Sequence, residues 1–226
     1  MNKSDADLLT KLHDNVNSCK LCGGRDVACS CYKKYFSSLA VITAGIPIKY
    51  RNFTFGTFHS QNLTKSVNKL RKYVENIDKN KKSGTGLYLW GNSGSGKTSL
   101  GCIVIMEAIK KNYSCYFCVV DDYRKALFSD DFDTIDKIKN SQFLMIDDIG
   151  REFQDSKGFI GSYIDDLLRY RTDNLTPTII TSNKDGSLAT DSFRFDSIIK
   201  EHFLILEFNV VDYRKKLQEE LKHENA

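Results

Sequence analysis

Short apolar runs alternate along this chain with longer stretches in which apolar residues recur every three or four positions. The runs are "GLYLW" from Gly86, "SCYFCVV" from Ser114, "QFLMIDDIG" from Gln142, "TPTIITSN" from Thr176 and "FLILEF" from Phe203. Continuous apolar runs of this length suit strands buried on both faces. A helical pattern covers Ser99 to Lys111. A second is marked by Phe159, Ile160, Tyr163, Ile164, Leu167 and Leu168. Upstream, Leu63, Val67, Leu70, Val74 and Ile77 fall at steps of four, three, four and three, opposite a basic face of Lys65, Lys69, Arg71 and Lys72. That spacing predicts an amphipathic helix, and "DKNKKSGTG" reads as the turn that breaks it. Nearer the start, residues 4–17 predict a short helix with Ser4 as N-cap and Leu8, Leu9 and Leu12 on one face. Ala44 to Phe58, aromatic and interrupted by Pro47, predicts an irregular connector packed on a larger domain. Strands alternating with helices imply an α/β fold, a mostly parallel five-stranded sheet flanked by helices.

The junction between the first strand and its helix carries the most specific chemistry. "GNSGSGKT" fits G-x-x-x-x-G-K-[ST] at Gly91, Gly96, Lys97 and Thr98. The loop formed by Gly91, Asn92, Ser93, Gly94, Ser95 and Gly96 turns successive backbone N–H groups around a phosphate, with glycine where a Cβ would collide. The following helix adds its unsatisfied amides and positive dipole end. Lys97 is placed to reach the β- and γ-phosphates, and the Thr98 hydroxyl to ligate Mg²⁺. A flexible glycine loop with an incidental lysine is the alternative, but it would need neither the strand before nor the helix after. A nucleoside triphosphate is the expected ligand.

"FLMIDDIG" runs four apolar residues into Asp147 and Asp148, the acidic strand end that Mg²⁺-dependent phosphoryl hydrolysis needs. Asp147 is expected to hold the metal, directly or through water, and Asp148 to orient or deprotonate the attacking water. A surface turn after a strand is the other reading of the pair. The fourth strand ends in Thr181, Ser182 and Asn183, and ligands of parallel sheets sit beyond the carboxyl ends of strands. Asn183 is expected to sense the γ-phosphate; capping the next helix is its alternative.

Composition narrows the setting. A chain of 226 residues with 41 % hydrophobic residues and two prolines can bury a core and suits one ordinary domain plus a small appendage. Its net charge of +4 permits nucleic-acid binding without arguing for it. No apolar run approaches the ~20 residues needed to span a bilayer, and the first residues lack a signal-peptide pattern. A reducing cytoplasm is therefore the expected location. There the seven cysteines read as thiols or metal ligands rather than disulfides. Cys102, Cys115 and Cys118 fall in predicted helix or strand, where a thiol acts as a small core hydrophobe. Cys19, Cys22, Cys29 and Cys31 lie in a segment too polar to fold by burial. Four thiolates within thirteen residues match one tetrahedral Zn²⁺, with Gly23 and Gly24 allowing a tight turn.

"LYLWGNSGSGKTSL", "FLMIDDIGREF", "YRTDNLTPTIITSN" and "FNVVDYR", in this order and spacing, resemble bacterial replicative-helicase loaders of the DnaC and DnaI type. These are AAA+ ATPases related to the initiator DnaA and the transposition helper IstB. The likeness runs from "AGIPIKYRNFTF" to "DYRKKL", and the cysteine segment before it resembles the zinc modules of DnaI-like and phage-encoded loaders. The resemblance implies three parts: a helix and zinc module over residues 1–45 that grips the helicase, a connector with the basic helix over 46–85, and an AAA+ P-loop core over 86–226. It implies ATP and Mg²⁺ as cofactors beside Zn²⁺, with ATP hydrolysis as the switch. It also implies a hexameric DnaB-like replicative helicase and single-stranded DNA as partners, and leaves room for homo-oligomers. Arg194 resembles the arginine of the AAA+ "RFD" segment, which completes a neighbour's site, although loaders are expected to carry this group nearer Ser197 or Ile198. Arg214 in "DYR" resembles a loader arginine near the nucleotide; a surface ion-pairing arginine is its alternative. An IstB-type transposition helper would share every nucleotide motif but as a rule lacks the cysteine module. A small-molecule phosphotransferase would need an arginine-rich lid and a substrate pocket, and neither is visible. A DnaA-like initiator would be expected to continue after "DYR" into a duplex-reading domain.

Overall fold

All five expected strands form. The computed structural model describes residues 3–57, 64–149, 159–183 and 195–209. Strand β1 spans Gly86–Trp90 as predicted, and the others are trimmed at their ends: β2 Cys115–Val119, β3 Phe143–Ile149, β4 Thr178–Ser182 and β5 Phe203–Glu207. They make one sheet in the order β2-β3-β4-β1-β5, parallel throughout. Successive strand residues point to opposite faces, which gives the sheet two apolar sides. Leu87, Leu89, Met145 and Ile179 join one core, and Tyr88, Leu144, Ile146 and Ile180 the other.

The first core is closed by α3 (Thr64–Glu75), α4 (Ile77–Ser83) and α5 (Lys97–Lys110), and the second by α6 (Val120–Phe128), α7 (Phe132–Asn140), α8 (Phe159–Asp173) and α9 (Phe195–His202). The predicted apolar faces of α3 and α8 turn toward the core where they are described. Val67, Leu70 and Ile77 are buried below α3 and α4, and Ile160, Ile164, Leu167 and Leu168 below α8. Leu63 lies outside the described residues.

Several expectations need correction. The stretch read as a turn after α3 is mostly helical. The break falls at Asn76 alone, because buried Ile77 begins α4 at once, and the stop comes at Gly84 with φ +70°. Helix α5 starts at Lys97 rather than Ser99, and Val120 opens α6 instead of closing β2. The amino-terminal helix α1 spans Lys3–Asn17, so Ser4 lies within it and does not cap it. Its buried residues are Asp5, Leu12 and Val16, while Leu8 is exposed. Arg51 explains that rotation. Its guanidinium binds both carboxylate oxygens of Asp5 and donates from Nε to the Ile46 carbonyl at 2.8 Å.

Helix α2 (Ser30–Thr43) packs on α1 and on α5. The connector that follows contains a 3-10 turn at Ile48–Tyr50 and docks beside β2, where the Phe117 N–H donates to the Ala44 carbonyl at 2.7 Å. Among the described residues no helix is long and apolar enough to cross a membrane.

Among the described residues, one charged side chain is wholly buried. Arg171 of α8 donates to Thr178 Oγ1 and to the carbonyls of Ile138, Lys139, Ser141 and Pro177, at 2.8–3.1 Å. Three of those acceptors sit at the carboxyl end of α7, where the helix dipole favours a cation. Burial pulls the guanidinium down to about 9, which keeps it charged at neutral pH.

Candidate nucleotide site and cysteine cluster

The strand order decides what can meet at the carboxyl edge of the sheet. Strand β4 lies between β1, which feeds the glycine loop, and β3, which ends in the acidic pair. The end of β4 must therefore stand between loop and acids, and its polar residues do. Lys97, buried at the start of α5, donates to the carbonyls of Gly91 and Asn92 at 2.8 Å, to Ser95 Oγ at 3.3 Å and to Asn183 Oδ1 at 3.1 Å. Asn183 Nδ2 in turn donates to Asp148 Oδ1 at 2.8 Å. A second path runs through Asp147. Its Oδ1 accepts from Thr98 Oγ1 at 2.9 Å and from Thr181 Oγ1 at 2.6 Å.

The loop has the backbone its glycines predict. Gly94 and Gly96 adopt φ +78° and +86°, a region other residues rarely enter. Gly91 has φ +142°, and a Cβ there would meet the Phe208 carbonyl oxygen at 2.3 Å. The Asn92 N–H donates to Asn209 Oδ1 at 3.2 Å, which ties the loop to the end of β5. Asn209 was not singled out by sequence reasoning, although it begins the "NVVDYR" segment just after the fifth apolar run.

The electrostatics follow from depth. Burial raises the Asp147 carboxyl above its ordinary range; hydrogen bonds from Thr181 and Thr98 oppose that, and the neighbouring Asp148 charge adds to it. Thr98 and Asp147 together offer hard oxygen donors of the kind Mg²⁺ takes. Arg194 and Arg214 lie outside the described residues. Ile198 is buried in α9.

Cys19, Cys22, Cys29 and Cys31 converge, all four sulfur atoms lying within 4.8 Å of one another. The Cys19–Cys29 and Cys22–Cys31 separations are 3.9 Å and 3.5 Å. A tetrahedron of ~2.3 Å Zn–S bonds has edges of about 3.8 Å, so the cage fits zinc. Cys29 and Cys31 flank the first residue of α2, and Tyr32 reaches back from that helix to the Gly24 carbonyl at 2.9 Å. Cys102 and Cys118 are buried and Cys115 partly so, as expected of core thiols. Burial pushes Cys115 and Cys118 up to about 12, far from the reactive thiolate range.

A parallel sheet in this order, a glycine loop opening α5, and an acidic pair and asparagine at adjacent strand ends define an AAA+ P-loop nucleotide-binding fold. No family model matches the chain. It is 31 % identical over 105 residues to the replicative helicase loader DnaI of Bacillus subtilis (strain 168), a match covering 44 % of this chain and 33 % of that protein. The chain thus spans about a third of that curated relative's length. The crystal structure of the DnaC helicase loader superposes with a TM-score of 0.59 at 28 % identity, over 72 % of this chain and 99 % of that one. The replication initiator DnaA bound to AMPPCP and single-stranded DNA shares the fold, with a TM-score of 0.61 at 19 % identity over 80 % and 56 % of the two chains. In sequence and in fold the protein is similar to helicase loaders of the DnaC and DnaI type.

Proposed function

We propose that this protein is an ATP-driven loader that delivers a hexameric replicative helicase onto single-stranded DNA. Support for the ATP half comes from the two side-chain paths that cross β4, Lys97–Asn183–Asp148 and Thr98–Asp147–Thr181. In this reading the backbone N–H groups of residues 91–96 and the Lys97 ammonium hold the triphosphate. Lys97 exchanges its loop carbonyls for phosphate oxygens when nucleotide enters. Thr98 and Asp147 would hold Mg²⁺, which supplies charge neutralisation at the β- and γ-oxygens. Asp148 orients the attacking water and takes its proton. Asn183 touches both Lys97 and Asp148, so it senses whether a γ-phosphate stands between them. Arg194 and Arg214 remain candidates on sequence resemblance alone, for a neighbour's site and for this one.

The helicase half rests on the likeness to loaders. In the amino-terminal module (residues 1–45) Zn²⁺ plays a structural part, and Leu21, Val27 and Phe36 stand exposed on its surface. Apolar side chains held out by a small rigid unit suit a protein interface, and we assign them to the helicase. The connector and basic helix (46–85) lead into the ATPase core (86–226). The exposed Lys65, Lys69 and Lys72 of α3 are the candidate contacts to DNA, a salt-dependent mode. The test is delivery of the host's hexameric helicase to circular single-stranded DNA. Wild-type protein with ATP should transfer the helicase and Lys97→Ala should not. Equal transfer by both would remove ATP from the function.

A further inference from the structure

Ile146 pairs with Ile180 and Ile149 with Ser182, so two residues of β3, Asp147 and Asp148, stand opposite one residue of β4, Thr181. Such a β-bulge is rare between parallel strands and re-aims the side chains within it. In a regular strand neighbouring side chains leave on opposite faces, which would divide the two carboxylates across the sheet. Here Asp148 adopts φ +60°, a conformation uncommon outside glycine that persists only where its surroundings over-determine it. Both carboxylates consequently meet groups of the nucleotide site, Asp147 through Thr98 and Asp148 through Asn183.

Thr181 occupies the centre of this bulge and is buried. Its hydroxyl donates to Asp147 Oδ1 at 2.6 Å and accepts from the Asp148 N–H at 2.8 Å. One hydroxyl thus spends its single hydrogen and a lone pair on the two bulged residues.

We propose that Thr181 is a positioning residue for phosphoryl hydrolysis, its hydroxyl locking the β3 bulge so that Asp147 and Asp148 address the same nucleotide. This rests on the reading of the site as an ATPase. Valine has the shape of threonine without its hydroxyl and would leave the Asp148 N–H and a part-buried Asp147 oxygen short of a partner. The bulge then loses what holds it, and Asp148 swings away from Asn183. Serine keeps the hydroxyl.

The experiment compares Thr181→Val, Thr181→Ala and Thr181→Ser with Asp148→Asn and Lys97→Ala in full-length protein, measuring Mg²⁺·ATP turnover, metal-free ATP affinity and melting temperature. Folded Val and Ala variants should lose about 10²-fold in kcat, the low end of a general-base contribution, with metal-free ATP affinity held near wild type. Ser should restore most of the rate. Adding Asp148→Asn to Thr181→Val should cost less than the two single losses multiplied, because both act on Asp148. Alanine stands in if valine does not fold. Wild-type turnover in a folded Val or Ala variant, or a Ser variant as slow as Val, overturns the proposal. If Asp148→Asn and Lys97→Ala also turn over at the wild-type rate, the ATPase reading itself falls; if only the Thr181 variants do, that reading stands and Thr181 is merely structural.

Discussion

Replacing Arg171 with methionine probes the packing beneath the site. The substitution keeps an unbranched stem of similar length and strips away every donor. Five acceptors then lose a bond: Thr178 Oγ1 and the carbonyls of Ile138, Lys139, Ser141 and Pro177. A buried acceptor left without a partner costs about 1–3 kcal/mol, so the gross loss is several kcal/mol. Removing a buried charge gives part of that back, since desolvating an ion is itself costly. The net loss should be about 3 kcal/mol, the upper part of the usual range for a single substitution that breaks a buried hydrogen-bond network. At about 2–4 °C per kcal/mol for a chain of this size, the melting midpoint should fall on the order of 10 °C. Thermal unfolding followed by circular dichroism at pH 7 reads this directly. ATP affinity at 20 °C should hold, because Arg171 bonds at the amino end of β4, remote from Thr181 and Asn183. A shift below about 2 °C, less than 1 kcal/mol on that scale, would show that the five bonds are worth little. Loss of ATP affinity in the folded variant would show that Arg171 acts on the site.

The remaining predictions address the acids, the metal and the partner. At Mg²⁺ concentrations well below saturation, turnover should fall with decreasing pH at values above the ordinary carboxylate range, since burial raises the metal-free Asp147 carboxyl and a proton then competes with the cation. A rate flat down to the ordinary carboxylate range would exclude Asp147 as that group. Protein prepared without chelator should carry about one Zn²⁺ per chain; elemental analysis finding none would remove zinc from the module. Cys29→Ser should unfold α1 and α2 far more than the sheet, because metal binding supplies the folding free energy of such units; unchanged amide protection in residues 3–43 would contradict this. Leu21→Ser with Phe36→Ser should weaken helicase association and leave ATP turnover intact, as both side chains are exposed; undiminished association would move the grip elsewhere.

The sheet and the nucleotide loop were legible because their signals are local. A buried parallel strand is a continuous apolar run, and the loop is spelled by glycine spacing. The helices α2, α6, α7 and α9 were not read. Helix α2 buries no residue fully, so its periodicity is faint beside the cysteines at its start. Helices α6 and α7 have nine residues each, too few for a period of 3.6 to stand out. The long-range partners were invisible for another reason. Asp5 with Arg51 and Arg171 with the end of α7 are pairings set by topology, and nothing local marks them. The bulge at Asp147 and Asp148 is a similar case. Sequence placed both acids at the strand end, but only the register with β4 explains how two consecutive side chains serve one site.

The most direct measurement is a calorimetric titration of Mg²⁺·ATP into wild-type protein and Lys97→Ala, each with hydrolysis followed in the same preparation. A site with Lys97 at its centre should bind one ATP per chain and hydrolyse it. In Lys97→Ala the phosphates lose their main cation, so binding should weaken and turnover should vanish. Wild-type protein that neither binds nor hydrolyses ATP, or a Lys97→Ala variant that does both as well as wild type, would contradict the assignment of this site.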